Sequence, residues 1–339
     1  MGTRSVNEQT TLNLVSARAA AVNNEVNTSV GNQTADGDSL HTSLQPLFSQ
    51  TGNLYPTPPF DIKQSMAYLG LALSETSAER KALLKAISIN NQAILFQVSS
   101  AGTVDSPLLS YTLFSEKAIS QNTRHLALDR IRFFLSLTDD LNSFYRIGYS
   151  DPHFQPIIQR LYGFHQVKFL TPFESACWAL LAGNTSVAEA RLIKRRLMRH
   201  FGRQIHMENR RYYAFPEADA LAYTSAKELT SFLFNDGAAN QLLAAARAFH
   251  EIDDEFLTKA PYDDVSDWLQ RLDGLDTWAA SFILLQGLGR MERAPITDRG
   301  LITAATHFYG DSLPKRISLI ANQYNRWQGY WAHYLRVAI

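Results

Sequence analysis

Apolar and polar positions change their spacing twice along the chain, and each change marks a boundary. Residues 1–55 are rich in Asn, Thr, Ser and Ala, and their apolar clusters, Leu12–Val15 and Leu44–Phe48, are short. So little apolar surface does not offset the entropy of ordering a chain. This stretch is expected to be a disordered tail, closed by Pro56, Pro58 and Pro59. From 56 to 150 short apolar runs dominate. Gln92–Val98 and Leu108–Phe114 are too short for typical helices, and Gly102, Asp105 and Pro107 punctuate the gap, which predicts paired strands. Leu126–Leu137 alternates apolar residues with Arg130 and Arg132 and reads as a further strand, while helices are expected at Ile62–Leu73 and Leu141–Tyr149. The segment predicts a small antiparallel sheet domain with flanking helices.

From 151 to 339 the apolar period is helical. Thr171-Pro172 is a cap followed by proline at the first helical position, and opens a helix over Phe173–Leu181. Further helices are expected at Val187–Phe201, ended by Gly202, and at Ala218–Phe234, Ala238–Ile252, Asp264–Leu272, Thr277–Gly287, Gly300–Phe308 and Arg326–Val337. The expected fold class is α+β, a sheet domain followed by an all-α domain.

Composition narrows the function. A chain of 339 residues that is 45% apolar can fill two cores. Lys+Arg at 32 cancels Asp+Glu at 32, so any attraction for a polyanion must come from a local patch. The basic cluster Arg191, Lys194, Arg195, Arg196, Arg199 and Arg203 lies on or just past one helix, and reads either as a phosphate-facing surface or as a solvated face. One cysteine, Cys177, excludes an internal disulfide, a four-cysteine zinc site and a cysteine-held iron–sulfur cluster. The nine histidines have no ligand spacing, and the acidic residues Asp253, Asp254, Glu255, Asp263 and Asp264 lack the calcium-loop pattern, so no metal is expected. Neither a membrane span nor a secretory signal is indicated, which points to a soluble intracellular protein.

The most specific stretch is Leu272-Asp273-Gly274-Leu275-Asp276-Thr277-Trp278, between two expected helices. A tight turn at Gly274 joins them as a hairpin, and free amides at the start of the second helix suit an anion. Beyond that helix, Pro295-Ile296-Thr297-Asp298-Arg299-Gly300 puts Asp298 at a helix entrance, where an ordinary N-cap is the plain alternative to a reactive carboxylate.

The order of helix, Leu-x-Gly-Leu hairpin, helix ending Leu284-Leu285-Gln286-Gly287-Leu288-Gly289, and Asp-bearing loop resembles the helix-hairpin-helix DNA glycosylase superfamily. Pro172-Phe173-Glu174-Ser175 with Leu180-Leu181-Ala182-Gly183-Asn184-Thr185-Ser186, and then Leu192–Leu197, resemble the wedge-bearing region of its 3-methyladenine DNA glycosylase II branch. The resemblance implies a monomeric enzyme without an obligatory cofactor that flips a damaged base out of duplex DNA and hydrolyses its N-glycosidic bond, with Asp298 as the catalytic carboxylate. It also implies a cytoplasmic, nucleoid-associated location, or a nuclear one in a eukaryote. Alkylated purines, chiefly 3-methyladenine and 7-methylguanine, are the implied substrates. Trp278 stands where strand-cutting relatives carry a lysine, so no Schiff base forms and the abasic site is left uncut. Trp278, Phe282 and Trp327 are candidates for the wall of the base pocket; Gly183, Asn184, Thr185, Leu272, Gly274, Asp276, Thr277, Arg195 and Arg196 are candidates for DNA contacts, and the hairpin carbonyls for a monovalent cation. Two departures from the family pattern are Gly183-Asn184 in the wedge and Asp276 in place of the second hairpin glycine. They keep two other readings open: a helix-hairpin-helix DNA-binding protein without useful turnover, and an oxidised-purine glycosylase.

Overall fold

A computed structural model describes residues 47–70, 82–233, 235–310 and 313–339. Residues 1–46 of the expected tail, Leu71–Leu73 of the first expected helix and Phe234 lie outside the described residues. The last part of the expected tail is a strand, β1 (Phe48–Leu54), so the folded region begins before residue 56. After it come α1 (Ile62–Tyr68), β2 (Ala82–Ile89), β3 (Gln92–Ser100) and β4 (Leu109–Ser115). The four strands form one antiparallel sheet in the order β1-β4-β3-β2. The expected pair over 92–98 and 108–114 is present, with Leu95 opposite Phe114 and Ser100 opposite Leu109.

The stretch expected as a further strand is instead α2 (Gln121–Phe134). Ser120 caps it by accepting a hydrogen bond from the Thr123 amide. Its buried residues Ala127, Leu128, Ile131 and Phe134 follow helical spacing, and Phe134 packs against Phe96 of the sheet. The basic residues that mimic a two-residue alternation are the solvent side of that helix. Then follow α3 (Asn142–Tyr149) and α4 (Gln155–Arg160).

The helical region begins with α5 (Pro172–Asn184), capped by Thr171 as expected, and α6 (Val187–Phe201), capped by the Ser186 hydroxyl. A short hairpin, β5 (Gln204–Met207) and β6 (Arg210–Tyr213), follows α6. Its residues Ile205 and Tyr212 pack on Ala86 and Leu95, so a piece of the helical region covers one face of the sheet. The single helix expected over 218–234 is two, α7 (Ala218–Ala222) and α8 (Ala226–Leu233), separated by Tyr223–Ser225. After α9 (Asp236–Glu251), α10 (Asp254–Lys259) and α11 (Tyr262–Gln270) comes α12 (Thr277–Phe282), which runs on as a π turn over Ile283–Gly287. The chain closes with α13 (Arg299–Tyr309), α14 (Pro314–Gln323) and α15 (Gln328–Val337).

α5 is the central helix, buried on nearly every face from Phe173 to Ala182. The extended stretch before it ties the two regions together. The Lys168 amide donates to the Phe134 carbonyl at the end of α2, and the Phe169 amide to the Gln286 carbonyl in the π turn, each at 2.8 Å.

Candidate active site

The hairpin between α11 and α12 is held by three local devices. Gly274 adopts φ +85°, and a Cβ there would lie 2.7 Å from the Gln241 side chain and 2.8 Å from that of Leu180. Both backbone conformation and close packing on α9 and α5 therefore demand glycine. The Thr277 hydroxyl donates to Gln270 Oε1 at 2.8 Å, linking the two helices. Asp276 caps α12, accepting from the Ala279 amide at 2.8 Å. A carboxylate thus occupies the helix start that would otherwise be free for a phosphate.

Asp298 caps α13. Its Oδ1 accepts from the Leu301 amide at 2.9 Å and lies 3.6 Å from Nε of Arg336, which reaches over from α15. Both contacts fall on the same oxygen. Oδ2 accepts no hydrogen bond among the described residues, although the side chain is only 5% exposed. Gly300 makes the arrangement feasible, because a Cβ there would stand 3.1 Å from Asp298 Oδ1 and 3.2 Å from Arg336 Nε.

A cleft of about 770 Å³ brings these parts together. Asp298 forms one side with Thr297 and Arg299; the hairpin residues Leu272, Gly274 and Asp276 form another, with Trp278 beside them and Gly183 and Asn184 at the edge. Two cations that sequence reasoning did not single out, Arg271 and Arg299, also line the cleft, beside the carboxylates of Asp273, Asp276 and Asp298. Arg271 closes α11 and Arg299 opens α13, with no pattern to mark either.

The remaining candidates have other places. Phe282 does not line the cleft; it is buried, stacks behind Trp278 at 5.4 Å between ring centroids, and meets Phe169 edge-on. It stiffens the Trp278 ring. Trp327 packs on Phe144 and donates from Nε1 to the Ser143 hydroxyl at 2.9 Å, which makes it a brace for α15 and no part of the cleft wall. Asn184 donates to the Leu180 carbonyl at 2.8 Å and Thr185 to the Leu181 carbonyl at 2.9 Å, so both side chains turn back onto α5. Thr277 is likewise taken up by Gln270. Arg195 and Arg196 are half-buried on α6 and outside the cleft lining. Lys194, in the same basic cluster, is wholly internal and pairs with Glu174 at 2.7 Å, so the cluster is not one phosphate-facing surface. Among the described residues, no group of three or more His, Cys, Asp or Glu is gathered to hold a metal ion.

No family model matches the chain. It is 24% identical over 283 residues to the DNA-3-methyladenine glycosylase of Bacillus subtilis (strain 168), an alignment that covers 81% of this chain and 93% of that protein. The 3-methyladenine DNA glycosylase from Archaeoglobus fulgidus superposes with a TM-score of 0.69 at 15% identity, covering 85% of this chain and 97% of that one. The 8-oxoguanine glycosylase/lyase of Clostridium acetobutylicum, in its apo form, superposes with a TM-score of 0.59 at 15% identity, covering 87% and 99%. Sheet region, central helix, hairpin and Asp-bearing loop follow one another here in the order that the sequence resemblance implied. These likenesses show that the chain shares the fold of the 3-methyladenine and 8-oxoguanine DNA glycosylases on which it superposes.

Proposed function

We propose that the protein is a monofunctional DNA glycosylase that releases alkylated purines, 3-methyladenine and 7-methylguanine, from duplex DNA and leaves an abasic site. The observation that carries this reading is the carboxylate of Asp298, fixed through one oxygen by a helix start and an arginine, with its other oxygen unpaired in a cleft shared with Trp278 and the hairpin.

The chemistry follows from that geometry. As the N-glycosidic bond breaks, its electron pair leaves with the base and positive charge grows on the sugar. A preorganised anion stabilises charge that develops in the transition state. Water then bonds to the sugar carbon and gives up a proton, for which Asp298 Oδ2 is the acceptor. A purine alkylated on a ring nitrogen is cationic and leaves readily, so stacking and charge stabilisation suffice. Stacking on an aromatic ring is worth about 1–3 kcal/mol per base, and a cationic base gains further from the ring face. Trp278 has no amine, so strand cleavage through a Schiff base is not expected, which separates this reading from an oxidised-purine glycosylase/lyase. The relative from Bacillus subtilis and the neighbour from Archaeoglobus fulgidus, both named for 3-methyladenine, support the alkylation reading.

The test is a panel of duplexes carrying single 3-methyladenine, 7-methylguanine or 8-oxoguanine residues, assayed for free base and for alkali-labile abasic sites. Release of the two alkylated purines without strand cutting is expected. No release from any duplex under prolonged single-turnover conditions would favour a binding protein without turnover, the reading to which Asn184 and Asp276 lend weight. Either way the protein meets DNA. If Arg195 and Arg196 touch phosphates, changing both to Gln flattens the log–log dependence of affinity on salt by about 0.9 for each phosphate no longer neutralised. An unaltered slope removes them from the interface.

A further inference from the structure

A groove of about 820 Å³ runs between the sheet region and the helical region. Helix α9 fixes its distance from the cleft. Gln241, near the start of α9, packs on Gly274 of the hairpin, whereas Phe249 and His250, at its far end, line the groove. At 1.5 Å per residue the two sites stand roughly 13 Å apart along that helix. They share no lining residue. Phe133 of α2, Phe201 of α6 and Phe249 are half-buried in the groove wall. Around them stand the carboxylates of Glu217, Asp219, Asp253 and Asp254. A further carboxylate, that of Asp129, is taken up by Arg132 at 2.7 Å. Both arginines of the wall are also engaged: Arg130 pairs with Glu217 at 3.5 Å, and Arg203 donates to Asn91 Oδ1 at 2.7 Å. Asp219 and Asp253 accept only from the nearby backbone amides of Ala220 and Glu255, and among the described residues no cation pairs with Asp219, Asp253 or Asp254. Burial pushes the Glu217 carboxyl up, Arg130 only partly offsets this, and Asp219 and Asp254 add to it. A separate sign of an unmet ligand comes from the sheet. Ser88 of β2 lines the groove and is 7% exposed, yet its hydroxyl makes no hydrogen bond among the described residues. Polar groups so deep in a protein are rarely left unmatched.

We propose that this groove docks a basic peptide segment of a partner protein, whose arginine side chains lie over the phenylalanine rings and donate to Asp219, Asp253 and Asp254. The faces of the rings attract a cation, and carboxylates beside them accept its N–H groups. A planar guanidinium satisfies both at once. The Ser88 hydroxyl is then matched by the main chain of the segment. A metal ion fits less well, because no group of three or more His, Cys, Asp or Glu is gathered to hold one among the described residues, and the phenylalanines offer no ligand. A phosphodiester is repelled by three unpaired carboxylates, so the groove is no second surface for DNA. Beside it, Tyr223 is 80% exposed, with its hydroxyl 2.9 Å from Nε2 of the groove residue His250. An anchored tyrosine of this kind is a residue type on which interface energy concentrates. Because the groove and the cleft lie at opposite ends of α9, a peptide in one leaves the other open to DNA. This docking role goes beyond the glycosylase reading and does not depend on it.

The experiment is fluorescence anisotropy of a labelled peptide of alternating arginine and alanine, titrated with the full-length protein at about 0.15 M salt, where exposed charges are largely screened. Saturable binding is expected, and none to a matching peptide of alternating glutamate and alanine. Asp219→Asn with Asp254→Asn removes two unpaired carboxylates and keeps their shape. It is expected to raise Kd for the arginine peptide about tenfold or more, as loss of partners from a close charge pair does. Ala220→Arg, at an exposed position in the groove wall, sets a cation and bulk in the way and is expected to weaken binding to a similar extent. Asp264→Asn with Asp267→Asn takes the same charge from an exposed face of α11 outside the groove. That pair is expected to change Kd by less than about twofold. The proposal is overturned by absence of saturable binding, by equal binding of the glutamate peptide, by an unaltered Kd in both groove variants, or by as large a loss in the α11 pair as in the groove pair.

Discussion

Changing Asp298 to asparagine is expected to lower the single-turnover rate of base release by about 10²–10³-fold, the effect of removing one preorganised charge-stabilising group. The substitution isolates charge from architecture. Asparagine caps a helix about as well as aspartate, so its side-chain oxygen can keep the bond from the Leu301 amide at the start of α13. Shape and cap remain, while the anion that faces the developing sugar cation is gone. Arg336 then lies beside a neutral amide, which removes the attraction that holds the side chain in its present rotamer. Affinity for a duplex carrying an abasic-site analogue is expected to stay or to rise, because a neutral side chain repels nearby phosphates less. Rate and affinity must be measured on the same preparation. A variant that retains the wild-type rate would remove Asp298 from the chemistry and leave it as the plain helix cap that the sequence also permits.

What the chain discloses before folding depends on how local the determinant is. α6 was legible because an unbroken helical period runs up to Gly202. The hairpin was legible because only glycine fits the φ and the packing at position 274. α2 was not, since arginines at 130 and 132 imitate a strand alternation that the buried set Ala127, Leu128, Ile131 and Phe134 contradicts once the sheet is there to bury it. The same limit governs the site. Asp298, Trp278 and the Gly183-Asn184 turn belong to motifs and converge on one cleft. The rotation of a helix decides which of several aromatics faces that cleft, so Trp278 lines it while Phe282, one turn on, is buried behind it, and Trp327 braces a different helix. Arg336 and His333 belong to the last helix, and only the packing of α15 against α13 and α1 brings Arg336 to the carboxylate and His333 to Tyr68. Nor does any local signal distinguish Lys194 from the arginines around it; it is the one whose face of α6 turns towards Glu174.

That buried pair is the basis of the largest stability effect we expect. Glu174 on α5 and Lys194 on α6 meet at 2.7 Å with both side chains 2% exposed, and the Lys194 ammonium also lies over the rings of Phe169 and Phe215. Lys85 of β2 is close enough to feel both charges, so the sheet contributes to the same internal cluster. Burial alone would raise the Glu174 carboxyl, but Lys194 and then Lys85 more than reverse this and hold it below its ordinary range. Glu174→Gln removes the anion whose charge acts on both buried ammonium groups. Breaking a buried pair from one side costs about 3–5 kcal/mol, and the urea midpoint should fall accordingly. Removing both partners, as Glu174→Leu with Lys194→Met, should recover much of the loss, since apolar residues of similar volume replace a buried pair at little cost. The pH dependence has a definite sign. Burial, only partly offset by Glu174, already pushes Lys85 down to about 8, and without Glu174 it falls further. A lysine whose folded value is depressed penalises the native state as pH falls below its unfolded value, and the penalty grows until the folded value is passed. The additional defect of Glu174→Gln should therefore be larger at pH 6.5 than at pH 9; a defect that does not change between them would mean that Lys85 is not charged beside Glu174. Because α5 ends in Gly183 and Asn184 at the edge of the cleft, loosening this cluster also loosens that edge. The variant should consequently lose affinity for abasic-analogue DNA before it loses its fold.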